Sequence, residues 1–238
     1  MSQLLIKGLY AGYEKDIEIL KGIDIDVWNE EVLGIIGLNG SGKSTFGKAI
    51  MNILPFRNGQ FILDGEDISP YNTNELSRKG LSIMRQGGQV FSTMTISENL
   101  DIAFGNNYNQ SYKEMILGMI PLLRDQEEGL FKRTADKLSG GQRHQLALAM
   151  TLATNPSLII LDEPSAGLSP VAVESMYSLL REVKNSLKVT IVLIEQNINK
   201  AISFCDRCVL LSQGKIGKVF VDMDAADMRK DIMKELGL

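Results

Sequence analysis

Histidine and tryptophan each occur once in the 238 residues, and cysteine twice. The two cysteines, Cys205 and Cys208, form a C-x-x-C, a pattern used by redox dithiols and by half of a zinc site. A structural zinc site takes four ligands; there is no second pair, and the one histidine, His144, lies far away in the chain. The pair also runs into VLLSQG, which has the texture of a strand, so packing is the expected role. No apolar run nears the roughly 20 residues of a membrane-spanning helix. The opening MSQLLIKGLY lacks the charged start, apolar centre and small-residue cleavage site of a secretory signal, which places the chain in the cytosol. A basic excess is missing too: the formal net charge is -4 and the pI about 5.2. That argues against nucleic acid as a partner, although it leaves room for a local basic patch. With 44% hydrophobic and 23% charged residues, the chain can bury a sizeable core.

The apolar residues fall into two textures. QLLIKGLY and GIDIDVW alternate, as half-buried antiparallel strands do, and GQFILDGEDI carries an Asp64-Gly65 turn expected to close a hairpin. VLGIIG, LIILDEP and TIVLIEQN are instead continuous apolar runs, suited to strands buried on both faces of a parallel sheet. VAVESMYSLLREVKNSL has helical spacing between the last two, as in a βαβ unit. From about Ser92 to Leu138 the spacing is also helical, and Met115, Met119, Leu122 and Leu123 form a stripe expected in the core. The tail VDMDAADMRKDIMKELGL reads as an amphipathic helical end for packing or dimer contact.

GLNGSGKST, residues 37–45, fits G-x-x-x-x-G-K-[ST] between an apolar strand and the helical FGKAIMNIL. Gly37, Asn39, Gly40, Ser41, Gly42 and Thr45 belong to a loop whose backbone N–H groups can turn toward phosphate oxygens, with the helix start adding its positive end. Lys43 would reach the β- and γ-phosphates and the Ser44 hydroxyl would ligate Mg2+. LIILDE places two acids at a strand end: Asp162 is assigned to Mg2+, and Glu163, pointing to the other side of the strand, to the attacking water. In KLSGGQRHQLALAMTLA, Ser139 reads as an N-cap, and Gly140 and Gly141 open a second helix start suited to an anion.

One nucleotide does not need two such cradles. Together, the phosphate loop, LIILDE and LSGGQ (Ser139, Gly140, Gly141, Gln142) make the chain resemble the ATP-binding cassette (ABC) ATPases over essentially its whole length. The resemblance implies an α/β P-loop NTPase core with a mixed, mostly parallel sheet, an N-terminal antiparallel β subdomain and an inserted α-helical subdomain. On this pattern residues 1–86 and 151–238 form the core with its β subdomain, and residues 87–150 the helical subdomain ending in the signature helix. It further implies ATP and Mg2+ as cofactors, a head-to-tail dimer with a second cassette whose LSGGQ closes over the γ-phosphate, and a transmembrane permease as partner. The chain would then sit on the cytoplasmic face of the membrane without inserting into it. By the same resemblance Tyr13 stacks on adenine and Gln86 touches Mg2+ and the water, Gln89 being a nearby alternative.

Two positions depart from the family pattern. Gln196 stands where most cassettes carry a histidine that senses the γ-phosphate, and Ser169 where an aspartate commonly precedes proline. A glutamine amide can donate to phosphate but cannot become a cation. EQN, DEPSAGLSP and VFSTMTISENL are similar to the branched-chain amino-acid and urea importer ATPases. Two other readings stay open on the sequence: a soluble cassette serving as an assembly or regulatory module, and a cassette that binds ATP without hydrolysing it.

Overall fold

The computed structural model describes residues 2–15, 17–105, 109–124, 129–221 and 225–235. The three continuous apolar runs become β3 (Val32–Ile36), β7 (Leu158–Asp162) and β8 (Thr190–Glu195), buried at every position. With β6 (Leu81–Met84), β9 (Arg207–Ser212) and β10 (Lys215–Val221) they build a six-stranded sheet in the order β10-β9-β3-β8-β7-β6. Every pairing in it is parallel except that of β10 with β9 at the edge. The carboxyl ends of five strands therefore share one side of the sheet, which is where open α/β sheets collect ligands.

The alternating segments form a second, antiparallel sheet of β1 (Ser2–Gly12), β2 (Leu20–Trp28), β4 (Phe56–Leu63) and β5 (Glu66–Asp67), in the order β2-β1-β4-β5. Asp64 and Gly65 close the predicted hairpin with φ of 48° and 84°, the positive pair of a tight hairpin turn. Helix α1 (Lys43–Ile50) lies between the two sheets. Its Phe46, Ala49 and Ile50 join Leu4, Ile6 and Leu9 from one sheet with Ile160, Val192 and Ile194 from the other. On the opposite face Ile159, Leu161, Ile191 and Leu193 pack with α6 (Gly140–Leu152) and α7 (Pro170–Leu187). Successive residues of β7 and β8 thus serve two cores, and each buried Ile or Leu contributes about 1.5–3 kcal/mol.

After α2 (Thr73–Arg78) and β6 the chain enters a helical stretch of α3 (Ile96–Phe104), α4 (Gln110–Met119), α5 (Pro121–Arg124) and two 3₁₀ turns, Leu130–Lys132 and Ala135–Lys137. The helical spacing read over this stretch is interrupted where Ile120 turns extended before Pro121, a residue that disfavours helix in its predecessor. Met119 and Leu123 are buried and Leu122 partly so, but Met115 is 42% exposed, contrary to the expected core stripe. Residues 106–108 and 125–128 of that segment fall outside the described residues.

Helices α8 (Ile198–Phe204) and α9 (Ala225–Glu235) finish the chain. Met228 and Ile232 of α9 are buried with Ala201 and Phe220, and Lys218 pairs with Asp231 at 2.5 Å, so this end is used for packing. Residues 222–224 and 236–238 of the tail lie outside the described residues. Cys205 and Cys208 are free thiols set against Gly34 of β3, where a Cβ would lie 2.7 Å and 3.0 Å from their sulfurs. Burial pushes the Cys205 thiol well above its usual range, which disfavours the reactive thiolate and fits the packing role. At the amino-terminal end of the sheet, Arg207 donates to Glu31 at 2.8 Å and to Asp26 at 3.2 Å, and stacks 4.3 Å from the Trp28 ring, tying the two sheets together. No helix among the described residues is long and apolar enough to cross a membrane.

Candidate nucleotide site

Strand β3 ends at Ile36, and residues 37–42 turn the chain into α1 through Gly42, whose φ of 105° is costly for any residue with a Cβ. Gly42 offers α1 no side-chain cap, so the first amides of the helix, which cannot bond within it, are left for another acceptor. That is the arrangement required for binding an anionic phosphate. Lys43 is 5% exposed; its Nζ donates to the carbonyls of Gly37 at 2.9 Å and Leu38 at 3.0 Å. Burial lowers its pKa, while Glu163, Asp162 and Glu195 pull in the other direction. Two charge-assisted bonds to loop carbonyls hold the cation over the loop.

At the end of β7 the Ser44 hydroxyl donates to Asp162 Oδ1 at 2.9 Å. Asp162 is 4% exposed, and burial raises its pKa against the opposing pull of Ser44, Lys48, Lys43 and Arg85. One hydroxyl and one buried carboxylate set side by side fit a hard cation that takes its other oxygens from phosphate and water. Glu163 does not continue the strand as expected. Its φ is 48°, and its N–H donates to the carbonyl of Ile194 at 2.9 Å. The chain has already turned, and the side chain reaches Gln86, whose Nε2 donates to Glu163 Oε2 at 2.6 Å. Burial raises the pKa of Glu163, as do Asp162 and Glu195, against Lys43. A carboxylate with raised basicity suits a proton acceptor.

These residues share one cavity of about 420 Å³, lined by Tyr13, Ile19, Asn39, Gly40, Gly42, Lys43, Ser44, Thr45, Gln86, Glu163 and Gln196. Gly37 and Ser41 lie behind its wall: a Cβ on Gly37 would stand 2.7 Å from the buried Ser41 Oγ. Of the two glutamines open as alternatives, Gln86 faces the cavity, whereas Gln89 lines a separate groove between β6 and α6 with Arg85, Phe91 and Met150. Tyr13 stands 49% exposed at the rim, held by Lys48, which donates to its hydroxyl at 2.9 Å and lies 5.2 Å from its ring. Gln196 sits across the cavity at the exposed end of β8. His144 is buried in α6, with Nδ1 2.9 Å from the Gly140 carbonyl and its pKa lowered by burial, and it is not part of the cavity.

Ser139, Gly141 and Gln142 line a different cavity of about 290 Å³, with Ser169, Val171 and Ala172, and Gly140 is the first residue of α6 beside it. The chain thus keeps its two helix-start cradles apart. Ser139 is the N-cap expected, with a reciprocal bond to Gln142. Ser169 caps α7 by accepting from the Ala172 N–H at 3.4 Å, so the residue in the usual aspartate position is committed to its own helix. Ile19, Lys48 and Glu195 belong to the site's surroundings but were not singled out from sequence. Glu195 in particular hides as the last residue of an apolar strand.

The family model described as "ABC transporter" matches residues 20–166, more than half of the chain. The chain belongs to the ABC transporter ATPase family. This cassette is 35% identical over 211 residues to a probable branched-chain amino acid transport ATP-binding protein LivF of Archaeoglobus fulgidus, covering 87% of each. It is 30% identical over 209 residues to the high-affinity branched-chain amino acid transport ATP-binding protein BraG of Pseudomonas aeruginosa, covering 86% of this chain and 87% of that one. Identity to the lipopolysaccharide export system ATP-binding protein LptB of Escherichia coli is 27% over 224 residues, 91% of this chain and 89% of that one. Among solved structures, a nucleotide-free ATP-binding cassette from an ABC transporter superposes with a TM-score of 0.83 at 26% identity, over 98% of this chain and 96% of the other. The cassette is an ABC ATPase, and the fold expected from its motifs is the fold observed.

Proposed function

We propose that the cassette hydrolyses Mg-ATP to drive a transmembrane permease that imports branched-chain amino acids or another small polar solute. The observation that carries the hydrolytic part is the convergence of Lys43, Ser44, Gln86, Glu163 and Gln196 on one cavity, with Asp162 bonded to Ser44. In this reading the loop amides and Lys43 hold the phosphates, Ser44, Asp162 and Gln86 hold Mg2+, and Tyr13 stacks on adenine. Mg2+ held by these residues would supply neutralisation of the charge developing on the transferred phosphoryl group. Glu163 orients the water and accepts its proton, and Gln196 donates to the γ-phosphate oxygen from across the cavity.

The separation of the two helix-start cavities supports a head-to-tail dimer, in which Ser139, Gly140, Gly141 and Gln142 of one cassette complete the nucleotide site of the other. The division into a core of residues 1–86 and 151–238 and a helical subdomain of residues 87–150 belongs to the same proposal, the groove beside Gln89 and Phe91 being the place for the permease. The importer group rests on the similarity to LivF and BraG, which exceeds that to LptB. Affinity purification of the tagged chain from detergent-solubilised native membranes tests the assignment. A polytopic permease with amino-acid specificity is the expected companion, and reproducible recovery of soluble partners alone, with ATP present, would replace the transporter reading with an assembly module.

A further inference from the structure

Glu195 is 3% exposed, and burying an unneeded carboxylate at the end of an apolar strand costs several kcal/mol. Four donors surround it. Ser165 Oγ donates to Oε1 at 2.7 Å and the Tyr177 hydroxyl donates to the same oxygen at 2.8 Å. The N–H groups of Gln196 and Asn197 each donate to Oε2 at 3.0 Å. The carboxylate's acceptor sites are therefore filled, and by groups from separate parts of the chain. Ser165 lies two residues beyond Glu163 in the loop that leads to Ser169 and α7, Tyr177 is buried inside α7, and residues 196–197 form the turn that presents the Gln196 side chain to the cavity. A neutral apolar residue at Glu195 would take the shared acceptor from all four donors: the buried Tyr177 hydroxyl would lose its partner, and Ser165, Gln196 and Asn197, which border a cavity of about 470 Å³, would no longer be tied together.

We infer that Glu195 is a positioning residue that locks the turn carrying Gln196 to the loop carrying Ser165, so that the γ-phosphate contact and the loop leading to the neighbouring cassette move as one unit. The inference rests on the reading that Gln196 faces the γ-phosphate. Glu195 itself touches no substrate; it acts through the backbone of Gln196 and through Ser165. Because the turn is held by its amides, the side chain at 196 can differ without the turn losing its place, which accounts for a cassette working with glutamine there.

The test removes a single donor from the far side of the carboxylate. Ser165→Ala deletes one hydroxyl in a partly buried loop, and Ser165→Thr keeps it. Amide hydrogen exchange at Gln196 and Asn197, melting temperature, and kcat and KM for Mg-ATP are measured for both and for the isosteric Glu195→Gln. Ser165→Ala is expected to raise exchange at the two amides by about tenfold and to lower kcat by about tenfold, the size of one hydrogen bond to a charged group. KM stays near wild type, the melting temperature falls by only about 3–6 °C, as the loss of one such bond in a chain of this size requires, and Ser165→Thr recovers exchange, kcat and melting temperature. Unchanged exchange in Ser165→Ala, or a kcat loss that threonine does not rescue, overturns the inference. Exchange is read without turnover, so this failure is distinct from that of the γ-phosphate reading, which fails instead if Gln196→Ala turns over like wild type.

Discussion

Replacing Gln196 separates a hydrogen-bond role from a titrating one. Its backbone N–H is fixed on Glu195 Oε2 and its side chain lies at the exposed wall of the cavity, so substitution there should leave the turn in place. In the proposed site, Gln196→Ala removes one amide donor from a γ-phosphate that Lys43 and the loop amides would also hold. A lost hydrogen bond to a charged group is worth about 1.5–3 kcal/mol, a fall in kcat of roughly ten- to 150-fold. Gln196→His restores a donor and should retain much of the activity, but it adds a group with an ordinary pKa near ~6.5. In the wild type no histidine lines the cavity, and the pKa of His144 is lowered by burial, so it stays neutral at and above neutral pH. The kcat profile at saturating Mg-ATP, followed by phosphate release from pH 5.5 to 8.5, should show no histidine step in wild type or in His144→Asn, and one in Gln196→His. Equal turnover in Gln196→Ala and wild type, or a wild-type histidine step that disappears in His144→Asn, refutes the reasoning.

Two further outcomes follow from the buried charges. Burial raises the pKa of Asp162, so the folded chain holds that proton more tightly than the unfolded chain. Its favourable contribution is present below the unfolded value near ~3.9 and lost as pH rises through the folded one. At pH 7.5 Asp162→Asn should therefore melt above wild type without nucleotide, yet lose the rise that Mg-ATP gives the wild type, both read by thermal denaturation. Arg207→Ala leaves Glu31, 5% exposed, as an unpaired buried charge and should cost about 3–5 kcal/mol, lowering Tm by roughly 10 °C. Replacing Arg207 and Glu31 together with methionine should recover most of that loss in the same denaturation assay; a double variant no more stable than Arg207→Ala would contradict it.

What was legible in the sequence was local. Continuous Val, Ile and Leu runs announced the buried strands because a two-sided strand has no polar face, and the Asp64-Gly65 pair announced its turn because few residues tolerate two positive φ values in a row. The phosphate loop was legible for the same reason: its glycines, lysine and hydroxyl lie within nine residues. What escaped depends on contacts between distant segments. Glu195 looks like a strand end, and only the fold brings Ser165, 30 residues away, and Tyr177, 18 away, onto one carboxylate. Gln86, by contrast, is favoured over Gln89 by its place directly after the strand-like LSIM, and the turn after β6 sends Gln86 to the cavity and Gln89 to the groove beside α6. Met115 was misplaced because helical spacing marks a stripe without saying how far the neighbouring elements cover it.

Phosphate release from Mg-ATP by wild type and by Glu163→Gln, compared at saturating nucleotide, tests the central claim most directly. The substitution preserves shape and can keep the bond to Gln86 while removing the group assigned to take the water's proton. A fall in kcat of about 10²- to 10⁴-fold with nucleotide affinity retained is the predicted result. Turnover within threefold of wild type would contradict the account and place the proton acceptor elsewhere.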